Sequence, residues 1–343
     1  MSEASDPKRA SVRGRLMFWL GLTMAVASVV FWLKQSKYYH HYHLTMITAG
    51  TSPYWNKVME GARDAAKAEG VELTIYQPKD VKDQSDQIRQ QTHSDIDGMA
   101  VSPLNAVTEL NDLDNAAAVI PLVTLDTDCP LANRVCFVGS NNYDAGRSCA
   151  DLVKQALPDG GSIVICLGTL EKDSAQRRRQ GLIDGLLDRS IEPSRPTDAM
   201  DAELKGDKYT VIATLLDGFD PSRATEMAVD EIQKHPDVKC FVGLLAYSTP
   251  ALIKAMQQAN KLDQVQIVGF DCDEQTLAGI AAKHVFGTIR QHQYECGYES
   301  IRILSEAVKG NRATGVPIFP AVYLPIDIVT KETLDAEALK QAQ

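Results

Sequence analysis

The 343-residue sequence carries 45 acidic against 35 basic side chains, a formal charge of −10, with 44% hydrophobic and 6% aromatic residues. At about 150 residues per domain this is enough for two cores that stand without disulfides or metal, and it excludes collagen-like, mucin-like and disordered chains. The charge is uneven: Lys8, Arg9, Arg13, Arg15, Lys34 and Lys37 against Glu3 and Asp6 put +4 on residues 1–43 and leave −14 on the rest. A body this acidic repels phosphate backbones, so no nucleic-acid partner is expected.

Residues 1–15 read as a cytoplasmic tail. Residues 16–33 (LMFWLGLTMAVASVVFWL) hold no charge, and eighteen residues rise about 27 Å, close to the hydrocarbon thickness of a bilayer. Trp19 and Trp32 stand where interface anchors stand, and four basic residues before the stretch against two after it put the N-terminus inside and the body outside. The expectation is a transmembrane signal anchor. Ala25-Val26-Ala27 is a peptidase-type A-x-A site, so cleavage is the competing outcome. Residues 34–43 include Tyr38-Tyr39-His40-His41-Tyr42-His43, read as an interfacial stalk rather than a metal tract because no acidic or cysteine co-ligand stands beside it.

From Leu44 onward short β-rich runs alternate with amphipathic stretches: LTMIT and a helix over 53–69, VELTIY and 81–91, GMAVS and 107–118, then IPLVTLD. The rhythm continues through VCFVG with a helix over 143–157, SIVICLG with 174–187, YTVIATLL with 224–235, CFVGLL with 249–259, and QIVGFD with 275–283. This is the βαβ signature of parallel sheets covered on both faces, and about nine strands exceed one ordinary doubly wound unit, so an α/β fold of two such sheets is expected. Residues 190–207 read as a surface excursion and 331–343 as a charged, weakly helical tail. Seven cysteines without a C-x-x-C signal neither a disulfide framework nor zinc; Cys129 and Cys136 bracket a short loop and could pair.

In open parallel sheets ligands bind beyond the carboxyl ends of the strands. At those points stand Ser52, Tyr54 and Trp55, then Ser102, Asp126, Asp271 and Gln291. Aromatic faces with hydrogen-bonding groups, and no nucleophile triad, suit a small polyhydroxylated ligand rather than catalysis: a carboxylate accepts from two adjacent hydroxyls while a ring covers the C–H face. Arg177-Arg178-Arg179 opens a helix, where successive side chains point about 100° apart. The expected arrangement is one ligand clamp with two solvated neighbours. GSNNYDAG at 139–146 lacks both phosphate-loop spacings. No cofactor is implied.

TAGTSPYWNKVMEGARDAAKAEGVEL, DIDGMAVSPLNA, IPLVTLDTD, VGSNNYDAGRSCADLV, RRRQGLIDGL, IVGFDCDE and GTIRQHQYECGYESI, in this order over Leu44 to Val329, resemble the type I periplasmic sugar-binding proteins, the ribose- and galactose-binding-like group. The resemblance implies two lobes joined by three crossovers and closing by a hinge, lobe 1 from 44–139 and 292–319 and lobe 2 from 140–291 and 320–330, crossing near Gly139 to Asn141, Gln291 and Phe319 to Val322. It implies Ser52, Tyr54, Trp55, Ser102 and Asp126 as lobe 1 contacts and Arg178, Asp271 and Gln291 as lobe 2 contacts. Where the family often has Asn, Asn, Arg and Asn-Asp, this chain has Ser52, Ser102, Thr127 and Leu245-Ala246-Tyr247, with Tyr247 as a substitute wall, so ribose is not assumed. The implied partner of this non-enzymatic binder is an ABC permease, or, in the alternative, a sensor receptor. A repressor of related core would need an N-terminal helix-turn-helix, where this chain is hydrophobic.

Overall fold

The computed structural model describes residues 19–31, 41–192, 195–310 and 320–341. Residues 19–31 form helix α1, with Trp19, Met24 and Phe31 largely exposed; the rest of the expected span and stalk positions 34–40 lie outside the described residues. Among the described residues no helix is long and apolar enough to cross a membrane. His43–Gln343 form a second, separate compact unit, described by itself below.

Two sheets organise it. The first takes β1 (His43–Ile47), β2 (Glu72–Tyr76), β3 (Gly98–Val101), β4 (Leu122–Leu125), β5 (Cys136–Ser140) and β12 (Ala321–Leu324) in the order β12-β5-β4-β3-β1-β2. The second takes β6 (Gly161–Leu167), β7 (Leu204–Lys205), β8 (Tyr209–Leu216), β9 (Cys240–Gly243), β10 (Gln266–Phe270), β11 (Gly287–Gln291) and β13 (Ile326–Thr330) in the order β13-β11-β10-β9-β6-β8-β7. The central pairs are parallel, while β7 and β13 run antiparallel at the edges. Strands covered on both faces must be apolar along their whole length, and β3, β4, β5 and β9 are buried at every position.

Helices α2 (Tyr54–Glu69) and α10 (Gln293–Val308) pack together on the first sheet, and α5 (Asn142–Ala156) and α6 (Asp173–Leu186) on the second. Both pairs cross at glycines. A Cβ on Gly61 would lie 2.0 Å from the Tyr294 carbonyl oxygen and one on Gly297 1.8 Å from that of Val58; on Gly146 it would lie 2.1 Å from that of Arg178 and on Gly181 2.0 Å from that of Tyr143. Only a residue without a side chain permits such backbone approach.

The chain passes between sheets at Ser140–Asn141, at Gln291–Gln293 and at Leu324–Ile326. The third passage differs from the expected Phe319 to Val322, and 320–324 do not belong to lobe 2. Ala321–Leu324 pairs parallel with Phe137–Ser140 and completes the first sheet, and Pro325 then turns the chain into β13 beside β11. Helix α11 (Lys331–Gln341) is no loose tail: Arg290 holds Glu337 through both Nη atoms at 2.8 and 3.1 Å, and Leu334 packs on the lobe 2 core. The Cys129 and Cys136 thiols are both free and turn to different carbonyls, those of Ala106 and Phe137. His43 lies in β1, its Nε2 2.8 Å from Thr74 Oγ1, and no metal-binding group of three acids, histidines or cysteines occurs among the described residues.

Candidate ligand-binding site

The carboxyl ends of both sheets open on one cavity of about 520 Å³, within the range that takes a small organic ligand. Its walls are built twice over by the same local device. After β4, Asp126 turns into the left-handed region (φ 60°) and its N–H donates to the Val138 carbonyl at 2.9 Å; after β10, Asp271 does the same (φ 66°), donating to Ile289 at 2.7 Å. A short polar side chain tolerates that backbone best, and the turn lifts each carboxylate off its sheet into the cavity, which both line.

Lobe 1 adds the start of α2, set by Pro53. Tyr54 donates its hydroxyl to Asp126 Oδ1 at 2.6 Å, and its ring meets Trp55 edge-on at 5.2 Å. Trp55 is buried in the lobe 1 core yet reaches the cavity, as does Ser52. Burial and the adjacent Asp126 push the Tyr54 phenol well above its ordinary value, so it stays a donor.

Lobe 2 answers with Arg178 from the second turn of α6. Its Nε donates to Asn142 Oδ1 (2.8 Å), one Nη to the Leu244 carbonyl (3.1 Å) and the other to Gln291 Oε1 (3.0 Å), while the guanidinium stacks on Phe270 at 4.0 Å. Gln291 in turn donates to Asp271 Oδ1 at 2.9 Å, with Gln293 at 3.3 Å. Burial raises the Asp271 carboxyl to about 6 against the pull of Arg178 and the two amides. Protein groups alone hold the Arg178 and Asp271 side chains in place, which lowers the side-chain ordering cost of binding.

Eight of the nine expected residues line the cavity: Ser52, Tyr54, Trp55, Asp126, Arg178, Tyr247, Asp271 and Gln291. Ser102 does not. It is fully buried beneath, its Oγ without a partner among the described residues and its carbonyl taken by Gln84, and Leu104 occupies the wall instead. Tyr247 is tied by its hydroxyl to Asp217 at 2.5 Å. Of the neighbours of Arg178, Arg177 pairs with Asp173, but Arg179 is not solvated: it is buried, bonded to Thr214 Oγ1 and the carbonyls of Asp198 and Ala199, and pins the 190–207 excursion.

Lys172, Ser174 and Phe219 also line the cavity and were not anticipated. Phe219 sits at φ 67°, a conformation costly for a bulky residue, held there by Asp217 Oδ1 accepting its N–H at 2.8 Å. Its ring lies over Lys172 Nζ at 5.0 Å. The lobes touch across the seam, Thr127 Oγ1 at 2.8 Å from Ser174 Oγ and the Ala106 N–H on the Glu171 carbonyl at 3.4 Å, so the cleft is closed.

The family model of the periplasmic binding protein domain matches residues 44–312. The chain belongs to that family. Among its relatives, the D-allose-binding periplasmic protein of Escherichia coli (strain K12) is 22% identical over 294 residues, covering 82% of this chain and 89% of that protein. Among solved structures, the glucose-galactose binding protein GanP from Geobacillus stearothermophilus matches this periplasmic binding protein with TM-score 0.76 at 23% identity over 86% of this chain and 99% of its own. A carbohydrate transporter solute binding protein from Agrobacterium radiobacter, in complex with D-arabinose, matches with TM-score 0.77 at 21% identity, over 88% and 99%. Like these relatives, this periplasmic binding protein is a binder and not an enzyme.

Proposed function

We propose that the protein captures a monosaccharide or related polyol between its lobes and presents it to an ABC permease. The observation that carries this reading is the pairing of Asp126 and Asp271 at equivalent strand ends on one cavity, with the protein-held Arg178 between them in the bonding network. Adjacent hydroxyls donate to the two carboxylates, the remaining guanidinium N–H groups donate back, and Tyr54, Trp55 and Phe219 cover apolar ring faces. Each bond to a charged group contributes roughly 1.5–3 kcal/mol, so three or four give micromolar affinity or better after ordering costs. A ligand touching both lobes stabilises the closed form through contacts the open form lacks, and the permease reads that form. The names of the relatives, allose- and arabinose-binding among them, support the ligand class.

The same reading places residues 16–33 in the membrane with the body outside. Its support is the uncharged sequence and the exposed apolar side chains of α1.

A thermal-shift screen against pentoses, hexoses, polyols and inositol tests the first part. A ligand at 100 times its Kd adds about 2.7 kcal/mol of stability, and a panel without any shift overturns the reading. Alkaline carbonate extraction of membranes tests the second: the full chain stays in the pellet, and release to the supernatant refutes the tether.

A further inference from the structure

Lys172 is the unexplained group in the cleft. It is 7% exposed, lines the cavity, and occupies the N-cap position of α6, whose first turn no side chain caps. Among the described residues its Nζ has no hydrogen-bond acceptor and no carboxylate at ion-pair distance; its contact is the face of Phe219. The acids that act on it, Asp126 and Glu109, belong to the opposite lobe, and Arg178 on its own lobe repels it. A buried ammonium without a partner is costly, and proteins pair such charges.

Arg178 sharpens the point, because its three bonds all end on neutral oxygens. The lobe 2 wall thus sets Lys172, Arg178 and a helix N-terminus against the single carboxylate of Asp271, which stands beside Arg178 and leaves the Lys172 end of the wall favouring negative charge, opposite a lobe 1 wall whose Asp126 accepts hydroxyl donors. A neutral sugar satisfies Asp126 and Asp271 but offers Lys172 only dipoles.

Resting on the sugar-binding reading above, we propose that the solute is an acidic sugar, a hexuronate or hexonate, whose carboxylate is received by Lys172. Burial pushes the free Lys172 ammonium down to about 8, and an anionic ligand restores the charged form.

The test is calorimetric titration at pH 7 with D-galacturonate, D-glucuronate and D-gluconate beside D-galactose and D-glucose, for the wild type, Lys172→Met and Lys172→Arg. The expected result is an acid-to-neutral affinity ratio of roughly tenfold or more in the wild type, retained in Lys172→Arg and collapsed to near one in Lys172→Met. Should Lys172→Met fail to fold, the ratio is compared at pH 7 and pH 9, where it falls in the wild type and holds in Lys172→Arg. Neutral hexoses binding as well as the acids overturn this inference and leave the sugar-binding reading standing. An acid preference that neither Lys172→Met nor pH 9 diminishes removes Lys172 from the role. Binding of neither class overturns this inference, and the thermal-shift panel then decides the sugar-binding reading separately.

Discussion

Lobe 1 and lobe 2 are two versions of one design that furnish a shared cleft with opposite chemistry. Each ends its fourth parallel strand with a left-handed aspartate, Asp126 or Asp271, and each buttresses its sheet with a helix pair crossing at glycines. Yet lobe 1 gives Asp126 an aromatic donor, Tyr54, whereas lobe 2 gives Asp271 the Gln291 amide and a nearby arginine, with Gln293 adding a second amide from the start of α10. Duplicated backbone with divergent side chains lets a ligand tell the halves apart, so that it binds in one orientation.

The strongest way to break that comparison is to neutralise each aspartate in turn, using Asn because it tolerates the left-handed backbone. Loss of two charged acceptor bonds is worth about 3–6 kcal/mol, so Asp126→Asn should weaken ligand binding on the order of a hundredfold or more by calorimetry. Asp271→Asn should cost less, since two amides, Gln291 and Gln293, already donate to Asp271 Oδ1 and leave the ligand mainly the other oxygen. Equal losses would show that the lobes contribute alike.

The glycine crossings give the next effect. Gly146→Ala and Gly297→Ala both force a methyl onto a backbone carbonyl, an overpacking that costs about 1–3 kcal/mol, read as a lowered urea midpoint. Because the carbonyl opposite Gly146 is that of Arg178, Gly146→Ala should also weaken binding, whereas Gly297→Ala acts on stability alone. A variant pair indistinguishable in affinity would detach the helix crossing from the clamp.

A pH profile sharpens the comparison further. An acid raised by folding from 3.8 to about 6 binds its proton more tightly in the folded state, so its contribution to stability is lost as pH rises through that window. Unliganded Asp271→Asn should therefore gain stability over the wild type between about pH 4 and 6, by on the order of 3 kcal/mol at most. Asp217 and Glu109, raised by burial to about 6 and 7, titrate in both proteins and cancel in the difference. A difference flat across that range contradicts the assignment. Smallest is the effect of reductant: all seven cysteines are free, so seven thiols should react after denaturation and dithiothreitol should leave Tm where it was.

Much of this was legible in the sequence because a parallel sheet puts its binding groups at predictable places. Asp126, Asp271 and Gln291 follow apolar runs directly, and strand direction alone carries them to the cleft. Lys172 and Phe219 escaped because Glu171-Lys172-Asp173 reads as a solvated charge run and Asp217-Gly218-Phe219-Asp220 as a turn; only packing shows that the seam buries one and the other is held over it. Ser102 misled for the converse reason, since it follows β3 but faces the layer beneath. The excess of charge in Arg177-Arg178-Arg179 hid a buried structural arginine, because periodicity gives a direction and not what waits there. The third passage, which the resemblance implied near Phe319 to Val322, lies a few residues on because two short strands separated by one proline place it at Pro325.

That last arrangement bears on how the molecule is made. The strand that finishes the first sheet and the strand that finishes the second are adjacent, at 321–324 and 326–330, so a ribosome makes the closing piece of each half in one short stretch, after the other strands of both sheets. Neither half can complete that edge until this stretch has been made, and until then the nascent protein holds both borders open. Heating an assembled molecule should accordingly melt the halves together, the one zipper tooth at Pro325 transmitting the loss of either border to its neighbour.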